Sequence, residues 1–147
     1  MAMIETNGLD ELVLDMATIA ALPGEVVDRM LMAGGDVIAN GHRQEIDALG
    51  LVDGGQLKKS IQVLKKISRS ADSRYVLVYP QGKHHTYHAR SGGERDATSG
   101  EVGFVHEFGG HGNAAQGWMR NANEKHIEEA VEQEMSIYDQ FLKSNRL

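Results

Sequence analysis

The sequence predicts an α+β fold: N-terminal helices, an antiparallel sheet of about three to four strands, and a long C-terminal helix packed on that sheet. Three observations carry this expectation. Apolar residues recur at spacings of three and four near both ends of the chain, as on one face of a helix. β-Branched and alternating residues concentrate in the middle, over Leu57–Pro80. Helices and strands also come in runs instead of alternating, which argues against a parallel βαβ arrangement. The 147 residues suit a single domain spanning 1–147.

The elements follow in order. Leu9, Leu12, Met16, Ile19 and Ala20 predict a first helix over about Leu9–Leu22, with Asn7 as its N-cap and Pro23-Gly24 as its break. Val27, Met30, Leu31, Ile38, Ile46 and Leu49 predict a second helix over about Gly24–Leu49. Gly34, Gly35 and Gly41 lie inside it, each at a cost of roughly 1 kcal/mol against Ala, so either another backbone packs closely there or the helix bends. Gly50–Gly55 is turn material. Strands are expected over Leu57–Ile67, Ser73–Pro80 and Glu101–Phe108, with Pro80 ending the second. Lys83–Glu101 is polar, without a consistent period, and residues 83–100 read as a long mobile loop. Met119–Lys143 is amphipathic, with Met119, Ala122, His126, Ile127, Ala130, Val131, Tyr138, Phe141 and Leu142 on one stripe.

Composition narrows the function classes. Apolar residues at 41% and charged residues at 24% argue against wholesale disorder. A net charge of −6 without a basic block gives no electrostatic footprint for nucleic acid, so no nucleic-acid partner is expected. With no cysteine there is neither disulfide nor thiolate metal site. The opening MAMIETNGLDELVLD is not signal-like and no apolar run has the ~20 residues of a membrane span, so synthesis in the cytoplasm and no membrane partner are expected.

Candidate chemistry is thin. His106-Glu107-Phe108-Gly109-Gly110-His111 looks like a zinc-protease motif, but histidines five apart would point about 140° from each other on a helix. His84, His85 and His88 could chelate if helical, yet the segment has no helical period, and exposed loop histidines are the simpler reading. Gly109-Gly110-x-Gly112 lacks the Lys and Ser/Thr of a nucleotide loop. Glu128, Glu129, Glu132 and Glu134 read as a solvated helix face. The residues therefore predict no enzyme, no cofactor, no metal and no small-molecule substrate. A histidine-based metal-dependent enzyme and an α+β regulatory or toxin-like protein are the alternatives.

Three segments, in order along the chain, resemble a known family. Gly8-Leu9-Asp10-Glu11-Leu12 is similar to its opening helix. Leu51-Val52-Asp53-Gly54-Gly55-Gln56-Leu57-Lys58-Lys59-Ser60-Ile61 is similar to its Pro-x-x-Thr-Gly-x-Leu-x-x-Ser-Ile turn, with Leu51 and Gly54 in place of the proline and threonine. Val105-His106-Glu107-Phe108-Gly109-Gly110, followed by Ala114-Ala115-Gln116-Gly117-Trp118-Met119-Arg120-Asn121-Ala122, is similar to its Val-Glu-Phe-Gly-Thr strand and Ala-x-Pro-Phe-Leu/Met-Arg-Pro-Ala helix start. The family is that of the small tail-component or head–tail joining (neck) proteins of long-tailed bacteriophages and prophages. The resemblance implies a virion structural protein at the head–tail interface. It would assemble with itself, as a homo-oligomer and possibly a ring, and bind other phage connector and tail proteins. It also implies a rigid corner in which Phe108 is a buried aromatic at a strand end, Gly109 turns the chain, and Trp118 and Met119 dock. The residues expected to carry this structural weight are Leu57, Ser60 and Ile61 after the central turn, and Glu107, Phe108, Gly109, Trp118, Met119 and Arg120 at the corner.

Overall fold

The structure is a computed structural model and describes residues 22–51, 55–67, 74–88, 92–110 and 112–145. It is α+β, with the elements α1 (Gly24–Ala48), α2 (Gln56–Ser60), β1 (Ile61–Ile67), β2 (Arg74–Pro80), β3 (Lys83–His88), β4 (Glu94–Thr98), α3 (Ser99–Phe108) and α4 (Trp118–Ser144). The first expected helix, up to residue 21, lies outside the described residues, as does the middle of the central turn at 52–54.

The 25 residues of α1 pack along the 27 of α4 and, on another side, against β1 and β2. Its glycines account for both contacts. A Cβ at Gly35 would stand 2.7 Å from Val63 Cγ1, and one at Gly34 or Gly41 would run into Glu134 or His126 of α4. Gly34 and Gly35 face about 100° apart round the helix, so α1 meets its two partners on adjacent flanks. What approaches the helix is therefore side chains, not another backbone. The C-terminal helix packs mainly on α1, whereas the sequence predicts packing on the sheet.

Among the described residues four strands form, as two separate antiparallel pairs, β1–β2 and β3–β4. In β1–β2, Val63 pairs with Val78 and Leu64 with Leu77 in an unbroken register. The expected strand over Leu57–Ile67 begins only at Ile61, because Leu57–Ser60 complete a single helical turn and the Ser60 hydroxyl donates to the Leu57 carbonyl (2.6 Å).

Two expectations are overturned. Within the expected loop 83–100, Lys83–His88 pairs with Glu94–Thr98, with a register shift between Lys83 and His85. Polar cross-strand contacts hold this hairpin, among them Thr86 Oγ1 to Asp96 Oδ1 (2.7 Å) and Lys83 Nζ to Asp96 Oδ1 (3.1 Å). Ala97 is its buried apolar residue, so apolar alternation does not reveal it. Glu101–Phe108 is not a strand but most of α3. A capping box starts that helix: Thr98 Oγ1 accepts from the Glu101 amide (3.1 Å), and Glu101 Oε2 accepts from the Thr98 amide (2.9 Å).

The core is a cluster of Ala39, Ile46, Leu51, Leu57, Ile61 and Trp118, with Val63, Val78 and Met119 packed against it.

Candidate functional site

The corner joining α3 to α4 is closely constrained by its backbone contacts. Gly109 ends α3 at φ 81°, and a Cβ there would lie 2.9 Å from the Ala115 amide nitrogen, so the turn requires glycine. The chain then folds back on itself. Gln116 N–H donates to the His106 carbonyl (2.8 Å) and Gly117 N–H to the Glu107 carbonyl (3.1 Å). Gly117, at φ 57°, launches α4.

Glu107 closes the corner. Its carboxylate accepts from the amides of Met119 (2.6 Å) and Arg120 (3.2 Å), two donors in the first turn of α4 that have no partner within the helix. A carboxylate there also meets the positive end of the helix dipole. In the zinc-protease reading this side chain would be a general base, but here it is engaged as a helix cap.

Trp118, 0% exposed, fills the space beneath. Its indole N–H donates to the Gly103 carbonyl (2.9 Å), and a Cβ on Gly103 would stand 3.1 Å from Trp118 Cζ2 and 3.0 Å from Pro80 Cγ. The His42 ring meets Trp118 edge-on, with centroids 5.3 Å apart. His42 Nε2–H donates to Asn123 Oδ1 (2.9 Å), linking α1 to α4. Burial lowers the pKa of His42 from its ordinary value, against the opposing pull of the Asn123 bond and of Glu107, so the ring is neutral near pH 7. One helical turn further along α1, the buried Glu45 binds Lys125 Nζ of α4 (2.8 Å).

The residues singled out in the sequence divide into three groups. Leu57, Ser60, Ile61 and Trp118 are buried, and Met119 packs against the same cluster, so segments far apart in the chain converge. Glu107 and Gly109 set the corner's geometry, while the Arg120 side chain is exposed and contributes its amide. Phe108 is a correction. It is 66% exposed and lies against Phe104, itself 60% exposed, with ring centroids 4.7 Å apart. The reason is the helix: α3 turns Gly103 toward Trp118, and Phe104 and Phe108 fall about 100–140° away from that line.

The sequence does not single out His42, Glu45, Asn123 and Lys125. His42 stands four residues before Ile46 and four after Ile38, within the apolar stripe of α1, and that placement was the available signal.

A cavity of about 870 Å³ lies between α3 and the β3–β4 hairpin, lined among others by Leu57, Val105, His84, His85 and Arg95. Arg95 is held by Glu101. The rings of His84 and His85 meet edge to face, with centroids 5.0 Å apart. Among the described residues, no group of three or more His, Cys, Asp or Glu is arranged to hold a metal ion. No helix there is long and apolar enough to cross a membrane.

The chain matches no protein-family model, no curated protein and no solved structure.

Proposed function

We propose that the chain is a virion structural protein of a phage or prophage head–tail junction, a neck or tail-completion component. It works by ring-like self-assembly and by binding neighbouring connector and tail proteins. It takes no small molecule or nucleic acid, and its place is the virion after synthesis in the host cytoplasm. The observation that carries this reading is the use made of the motif residues. Leu57 and Ile61 of the central motif and Trp118 and Met119 of the last one pack into one cluster, and Glu107 is committed to two backbone amides. These residues build shape, as an assembly subunit requires. The exposed pair Phe104–Phe108 beside the corner supports the same reading, since clustered exposed aromatics mark contact surfaces.

Deleting the gene in an inducible host and examining the particles tests the reading. Filled heads without tails beside free tails are expected, with the protein present in wild-type particles by mass spectrometry. Normal tailed particles from the deletion strain would overturn it.

A further inference from the structure

Helices α1 and α4 lie side by side in opposite directions, and the two ends of their contact differ in chemistry. At one end Gly34 of α1 faces Glu134 of α4; at the other, Gly41 faces the His126 ring and His42 donates to Asn123. His42 is 1% exposed, yet Asn123 is exposed, so the imidazole lies beneath a side chain that meets solvent. Its second nitrogen, Nδ1, is buried and meets no hydrogen-bond partner among the described residues. The charges that act on the ring are Glu107 of α3, Arg43 of α1 and His126 of α4. Glu107 is committed to the amides of Met119 and Arg120, and Arg43 to Asn40 and the Ile61 carbonyl. His126 Nδ1 stands 3.7 Å from Glu129 Oε2. One turn along, Glu45 and Lys125 hold each other. The cations that α2 and β2 bring to α1, Lys58 and Arg74, are held by Asp47 and Asp28. Each acid in this set already has a partner.

We propose that the His42 end of this contact is an acid-operated latch: a proton on His42 opens the seam between α1 and α4 there and admits water beside Trp118, while the Gly34–Glu134 end stays shut. An imidazolium carries a second N–H, and a buried N–H without an acceptor is costly. With the surrounding acids engaged, the acceptor at hand is water, and the way to it leads past Asn123. The His42–Asn123 bond opposes the opening, but one hydrogen bond beside solvent is a small cost against unfolding the whole chain, so the response is local. The far end answers acid in the opposite sense. Burial raises the pKa of Glu134 beside Gly34, so a falling pH removes its charge and favours the closed contact. Trp118 keeps its bond to the Gly103 carbonyl, so the corner stays assembled while its α1 side opens.

Trp118 is the chain's single tryptophan, so acrylamide quenching of its fluorescence in the full-length protein reads the latch. The quenching constant should rise about threefold or more between about pH 7.5 and about pH 5, with far-UV circular dichroism unchanged. His42→Gln keeps a donor for Asn123 and takes up no proton, so its quenching should stay flat over the same range. A wild-type constant that stays flat until circular dichroism is lost would overturn the proposal, and so would a rise in step with that loss. A rise that survives His42→Gln would overturn it as well; its disappearance in His126→Gln would then assign the response to the outer ring. If His42→Gln misfolds, hydrogen exchange of the wild type decides, corrected for the intrinsic effect of pH. Amides from Met119 to His126 should lose protection about threefold or more at the lower pH, while those around Gly34 and Glu134 keep theirs. Equal loss at both ends, or none at either, would sink the latch.

Discussion

The two hairpins are built alike and held differently. Both are antiparallel pairs of short strands. In β1–β2, alternate residues turn inward, and Val63 and Val76 press on Gly35 of α1. In β3–β4, Ala97 is buried, and the strands are joined by Thr86, Lys83 and Asp96. One hairpin exists because a helix covers it. The other exists because its polar side chains satisfy one another across the strands. Their dependence on solvent conditions should therefore differ, and so should their response to substitution.

The largest effect is expected at the start of β1. Ile61 is 2% exposed and belongs to the core cluster. Ile61→Ala should lower unfolding stability by about 2–5 kcal/mol, as truncation of a buried aliphatic does. Urea denaturation measures it, with Thr86→Ala in β3 as the reference. An equal loss from the two variants would break the contrast between the hairpins.

Next comes the contact between α1 and β1. At Gly35, alanine gains about 1 kcal/mol of helix propensity, but its Cβ would stand 2.7 Å from Val63 Cγ1 and 3.2 Å from Val76 Cγ2. Overpacking of this kind costs about 1–3 kcal/mol, so a net loss of about 1 kcal/mol is expected. Gly34→Ala is the control. Its Cβ meets the end of the flexible Glu134 side chain, which can move aside, so that variant should be neutral or slightly stabilised. The reverse order of melting temperatures would mean that the sheet yields more easily than the glutamate.

The same contrast explains what was legible in the sequence. Helix α1 and strand β2 announce themselves through apolar period, and so does α4. The hairpin at 83–98 has no apolar period to find, because its stabilising groups are Thr86, Asp96 and Lys83. Helix α3 was legible in another way: Thr98-Ser99-Gly100-Glu101 is a capping box. Gly100 and Gly103 hide it from a propensity reading, although Gly103 is there to admit Trp118. Phe108 differs from expectation for the same reason: the sequence places it at a strand end, whereas it stands on the open side of a helix. Phe108→Ala should accordingly change stability by less than about 1 kcal/mol, and a loss of the size expected for Ile61→Ala would return it to the core.

Acidity separates the regions in two steps. Burial holds the pKa of His42 below 6.5, so below that pH the unfolded chain takes up a proton the folded chain refuses. Folding stability from this group is complete above pH 6.5 and is lost as pH falls toward the depressed value. His42→Gln keeps a donor for Asn123 and should flatten this part of the pH–stability curve relative to wild type. Identical slopes would place the ring in contact with water.

The smallest effect belongs to the exposed hairpin and lies at lower pH. The Thr86 hydroxyl and Lys83 hold the pKa of Asp96 below 3.8. Between the two values the folded chain binds fewer protons than the unfolded one. The stabilisation is therefore present above pH 3.8 and lost as pH falls through the depressed value. Because the carboxylate is exposed, salt should weaken the Lys83 contribution. Amide resonances of β3–β4 followed by NMR should respond in this range and lose the response in Asp96→Asn. Those of β1–β2, whose pairing rests on packing against α1, should stay in place. If both hairpins shifted together, the polar contacts of the second would be secondary to a shared unfolding, and the difference between the hairpins would lie in composition alone.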